Sequence, residues 1–70
     1  MVEVFKTNVK KKNESQRIIL TLLEHFPESK INFDLSDCDK ILRVESEVIF
    51  PEKIVEIMIS SGYFAEILPY

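Results

Sequence analysis

The apolar residues of this chain fall into six blocks, four with strand character and two with helical spacing. In the first block, residues 2–9, β-branched Val2, Val4, Thr7 and Val9 with Phe5 predict a strand that runs out into lysines. Asn13 and Gln16 then stand three apart, the spacing at which a side chain caps a helix start and a second one reaches back. Ile19, Leu22, Leu23 and Phe26 follow at i, i+3, i+4 and i+7, so a helix over 14–26 with one apolar stripe is predicted, stopped by Pro27. Ile31, Phe33 and Leu35 alternate with Lys30, Asn32 and Asp34, and Leu42, Val44 and Ser46 alternate with Arg43, Glu45 and Glu47. Alternation of this kind puts one strand face inward and the other in water, and predicts strands over 30–36 and 40–47 joined by the Ser36–Asp39 turn. Pro51 and Glu52 suit a helix N-terminus, and Ile54, Ile57, Met58 and Ser61 supply the inner stripe of a helix over 51–61. Gly62 fits the left-handed position that ends it, and a last strand over 64–69 carries Phe64, Ile67 and Leu68 before Pro69.

The order β-α-β-β-α-β predicts an α+β fold, the ferredoxin-like sandwich, in which both helices cover one face of a four-stranded antiparallel sheet. Right-handed crossovers set the first strand between the third and the fourth. They also bring the loop after the first strand, the central hairpin turn and the loop before the last strand to one end of the molecule, the expected functional rim. The predicted core is Phe5, Ile19, Leu22, Leu23, Phe26, Ile31, Phe33, Leu35, Leu42, Val44, Ile54, Ile57 and Met58.

Seventy residues with 46% hydrophobic side chains suffice for one domain, residues 1–70, and one core, leaving any site shallow. A single Gly excludes glycine-rich phosphate loops, and one His with one Cys excludes zinc knuckles, redox cysteine pairs and an internal disulfide. No apolar run approaches the ~20 residues that span a membrane, and the absence of a secretory pattern in residues 1–12 makes the cytoplasm the expected location. The net charge of −3 is unevenly placed: residues 1–12 carry +3 and the remainder −6. An acidic chain with one basic loop lacks the broad basic stripe of nucleic-acid binders.

Ile19 and Leu23 at helical spacing, Phe26-Pro27, Ile31-Asn32-Phe33-Asp34-Leu35, Pro51-Glu52-Lys53-Ile54 and Ser61-Gly62-Tyr63-Phe64-Ala65-Glu66 together resemble the heavy-metal-associated domain, the module of copper chaperones and of the N-terminal arms of metal-pumping ATPases. The resemblance covers nearly the whole chain and implies the same ferredoxin-like fold. The family's Gly-Met-x-Cys-x-x-Cys loop would fall on Val9 to Ser15, where Val9 and Lys10 replace the Gly and Met and Lys12 and Ser15 replace the two cysteines. An ammonium repels a cation and a hydroxyl is a poor ligand for a soft one, so the family's metal chemistry does not carry over to these positions.

Lys10, Lys11 and Lys12, with Ser15 beside a helix N-terminus and with Tyr63, which the resemblance places in the loop facing them, form a candidate site for a small anion or an acidic partner. Cys38 in the hairpin turn is the alternative metal-binding candidate, although Asp37 and Asp39 are hard oxygens beside a soft sulfur. His25, at the end of the first helix, answers the negative helix terminus. Ser15, Cys38 and Tyr63 could supply a nucleophile and an acid, but no base accompanies them, so no enzyme and no cofactor are implied. Ile18 and Leu20 on the first helix, and Val55 and Ile59 on the second, widen the apolar faces beyond a single stripe. Val55 and Ile59 are therefore the expected interaction surface. The leading functional expectation is a non-enzymatic module that binds a protein partner or a second copy. A metal accessory domain using Cys38 and an anion-binding regulatory domain using Lys10–Lys12 are the alternatives.

Overall fold

In the computed structural model, which describes residues 1–69, six elements follow the predicted order: β1 (Val2–Thr7), α1 (Lys12–His25), β2 (Lys30–Asp34), β3 (Ile41–Glu45), α2 (Pro51–Ser60) and β4 (Ala65–Leu68). Tyr70, which follows the last predicted strand, lies outside the described residues. The strands form one antiparallel sheet in the order β2-β3-β1-β4. The α+β, ferredoxin-like arrangement is as predicted, with β1 between β3 and β4. The helices touch one another, α1 over β2 and α2 over β4, and so share one face of the sheet.

Register decides which side chains meet the helices. Phe5 opposes Leu42, Thr7 opposes Ala65, and Ile31 and Phe33 oppose Val44 and Leu42; directly paired residues share a face, and this is the helix side. The other face carries Val2, Val4 and Lys6 of β1 with Lys30, Asn32 and Asp34 of β2. Phe5, Val9, Leu22, Leu42, Val44, Ile54 and Met58 are the fully enclosed side chains between sheet and helices.

The predicted core needs a correction at α1. The buried residues of that helix are Ser15, Ile18 and Leu22, while Ile19, Leu23 and Phe26 are only half-buried, so the inward stripe is turned by about one residue. Ile18, expected to widen the outer face, is buried; Leu20 is exposed. Ile31, Phe33 and Leu35 are likewise half-buried, because β2 is the outermost strand and nothing packs beyond it. Besides Ile18, two residues outside the predicted core, Val9 and Ala65, are buried.

The helix ends also differ from expectation at one terminus. α1 starts two residues early, and its first turn is fastened by Glu14, whose carboxylate accepts the Lys11 backbone N–H at 3.2 Å. The Lys11 side chain, an ammonium, has no acceptor to offer, and its backbone carbonyl takes the Ser15 N–H at 3.0 Å, so only the Glu14 half of a capping box exists, and the Asn13–Gln16 pair lies inside the helix. At the end of α2, Gly62 adopts φ +92°, its N–H meets the Ile59 carbonyl at 3.0 Å, and the Tyr63 N–H meets Met58 at 2.9 Å. This is the Schellman arrangement, which closes the helix and aims the chain into β4.

Candidate functional site

Three loops do converge at one end of the sheet, and specific hydrogen bonds hold them there. Thr7 donates its backbone N–H to Asp39 at 3.1 Å, tying the end of β1 to the β2–β3 turn. Its side chain, 5% exposed, donates to the Lys40 carbonyl and accepts the Val9 N–H at 3.2 Å. Asn8 then reaches across with its side-chain oxygen to accept the Phe64 N–H at 2.8 Å, joining the loop before β4. Lys40 sits at φ 48° with its ammonium donating to the Leu35 carbonyl at 2.9 Å, which closes the hairpin turn.

On this rim the sequence candidates separate. Lys10, Lys11 and Lys12 are exposed, and Lys12 is the first residue of α1. Ser15 is buried, and its hydroxyl donates inward to the Lys12 carbonyl at 2.7 Å, so its one proton is committed within the helix. The Glu14 carboxylate occupies the positive helix end beside these lysines. Tyr63 is half-buried against the core, and its phenol is held above its ordinary pKa by burial and then by the neighbouring Glu14. The lysines thus share the rim with a carboxylate and a neutral phenol.

Cys38 is exposed in the hairpin turn, and its sulfur and one carboxylate oxygen each from Asp37 and Asp39 lie within 4.8 Å of one another. These carboxylates have other partners: Asp37 accepts the Asp39 N–H at 2.8 Å, and Asp39 pairs with Lys6 at 3.8 Å. Asp34, just before the turn, is kept below its ordinary pKa by hydrogen bonds from Ser36, the hydroxyl at 2.6 Å and the N–H at 3.2 Å. His25 lies at the opposite end, its Nδ1 3.0 Å from the Thr21 carbonyl, in keeping with a helix-terminal role.

The interaction surface expected on α2 divides in two. Ile59 is 62% exposed, whereas Val55 is half-buried and packed against the core, so the pair does not form one open face.

A different surface stands out along the border of α1 and β2. Ile19, Leu23 and Phe26 lie on one flank of α1, since residues at i, i+4 and i+7 share a helix face, and Ile31, Phe33 and Leu35 lie below them. All six are half-buried. An open groove of about 460 Å³ runs here, lined by Lys12, Ser15, Gln16 and Ile19 from above and Asn32, Phe33 and Leu35 from below. Sequence reasoning named these six as core and missed them as a surface. The signal was present in the topology, which makes β2 an outer strand and leaves its flanking helix uncovered on one side. Comparison with known proteins found no matching family model, no matching curated protein and no matching solved structure.

Proposed function

We propose that this chain is a non-catalytic protein-association module that works through the apolar border between α1 and β2. The observation that carries the reading is that Phe26, Ile31, Phe33 and Leu35 pack against the core without being buried by it, and that Ile19 and Leu23 beside them on α1 are likewise only half-buried. A contiguous apolar strip of this sort, rimmed by Lys12, Gln16 and Asn32, is what a partner surface buries, whereas single exposed residues such as Leu20 need no explanation. The resemblance to the heavy-metal-associated family belongs to the same proposal: a module on that fold whose two thiolate positions hold Lys12 and Ser15 and which retains surface recognition in place of ion transfer.

Leu23→Glu and Ile59→Glu test the reading. Both positions tolerate a charge in the isolated domain, which circular dichroism checks, and a charge costs most where an interface would desolvate it. Sedimentation velocity and co-purification from the native host should show an association that Leu23→Glu removes and Ile59→Glu leaves. Association lost only with Ile59→Glu would move the surface to α2, and a chain that associates with nothing would overturn the proposal.

A further inference from the structure

Resting on that association reading, we infer that the partner is a second copy of this chain, joined edge to edge through β2 to make one eight-stranded sheet. An outer strand presents unpaired N–H and C=O groups that another strand can take up, and proteins usually block such edges with charge or proline. The two edges here differ. β4 has four residues, ends at Pro69, which has no N–H to give, and a symmetric pairing centred on Glu66 would set two carboxylates against each other. β2 has five residues, Lys30-Ile31-Asn32-Phe33-Asp34, whose charges are self-complementary.

The register follows from symmetry. A two-fold axis perpendicular to the sheet keeps paired residues on the same face, so a residue can only oppose one an even number of positions away. Centring the pair on Asn32 sets Lys30 opposite Asp34 of the second copy, and Asp34 opposite its Lys30, on the open face; both are exposed. On the helix face it sets Ile31 opposite Phe33 of the second copy, twice. Shifting the centre to Ile31 would bring Asp34 against Glu28, a like-charge pair. The Asn32-centred register also brings the α1 flanks, with Ile19 and Leu23, to either side of the axis, closing the groove from both copies. The half-buried strip and the charge pattern are separate observations, and the same register satisfies both.

The test uses charge swaps that distinguish pairing from folding. Lys30→Asp makes every opposed 30/34 pair acidic in its homodimer, Asp34→Lys makes every one basic, and each should weaken self-association by about tenfold or more, measured by sedimentation equilibrium. An equimolar mixture of the two variants restores both pairs in the heterodimer, and should associate about as tightly as the unaltered chain. Damage to the monomer fold would not be repaired by mixing. Asn32→Cys in a Cys38→Ser background should oxidise to a disulfide-linked dimer, since opposed Cα atoms in an antiparallel pair lie within disulfide reach. Single variants that dimerise normally, or a mixture no tighter than either alone, would overturn the register and the second-copy assignment. A chain that stays monomeric at ~1 mM while holding a heterologous partner lost with Leu23→Glu would overturn the second copy and leave the association reading standing. Absence of both would remove the two together.

Discussion

Leu22 and Leu23 are neighbours of identical chemistry whose truncation separates the true axis of α1 from the one the spacing predicts. Leu22 is 0% exposed at the centre of the core, and Leu23 is half-buried at the border with β2. Leu22→Ala removes a fully enclosed side chain and leaves a cavity within the buried cluster it belongs to, at a cost of about 3–5 kcal/mol. Leu23→Ala forfeits roughly half of a leucine transfer term and opens no closed cavity, about 1–1.5 kcal/mol. The change in helix propensity is the same at both sites and cancels in the comparison. A domain of this size has roughly 3.5–10 kcal/mol in total, so Leu22→Ala should bring it near the edge of folding while Leu23→Ala stays well folded. Urea unfolding followed by circular dichroism at micromolar concentration, below any self-association, gives both values from the shift of midpoint at constant slope. At high concentration the proposed dimer predicts a narrower gap, because loss of Leu23 would then also weaken an association that stabilises the fold. Equal costs at low concentration, or a larger cost for Leu23→Ala, would refute the one-residue rotation of the inward stripe and the half-buried border with it.

Thr7→Val should cost about 1–3 kcal/mol by urea unfolding despite its near-isosteric shape, because the Lys40 carbonyl and the Val9 N–H lose their shared hydroxyl in a buried place. Ser36→Ala should return the Asp34 carboxyl upward toward its ordinary 3.8, read by NMR titration of the side-chain carbon. Because the folded-state value is depressed, whatever stability this hydrogen bond adds is present above the ordinary carboxylate range and fades as pH falls through the folded value, so the variant and the parent should converge in acid. Competition with a chromophoric copper(I) chelator should show no stoichiometric binding through Lys12 and Ser15; binding that persists in Cys38→Ser would contradict that reading of the loop.

Fold and topology were legible because they depend on coarse quantities: the alternation at Ile31-Phe33-Leu35, the proline and glycine at the two ends of α2, and the handedness of crossovers. The exact axis of α1 was not. Ile18, Ile19, Leu22 and Leu23 offer two overlapping apolar stripes, and the choice between them rests on how the loop after β1 delivers the helix, with buried Ser15 lying on the winning stripe. A serine reads as a surface residue until its hydroxyl is seen bonded to the Lys12 carbonyl. Likewise the Glu14 cap was hidden behind Asn13, the stronger capping residue by type, since the lysine backbone N–H it serves leaves no mark in the sequence. The rim was correctly assembled from topology alone, whereas the α1–β2 border was not recognised as a surface, because its residues have the composition of a core and only the position of β2 at the sheet edge exposes them.

Backbone hydrogen exchange at the β2 edge, followed from micromolar to millimolar protein, addresses association through this border most directly. Those amides of Lys30–Asp34 that point away from β3 should exchange fast in the dilute chain and become protected as concentration rises, while the outward amides of Ala65–Leu68 on the opposite edge stay fast throughout. Outward β2 amides whose exchange does not change with concentration, or protection that appears on β4 in their place, would contradict it.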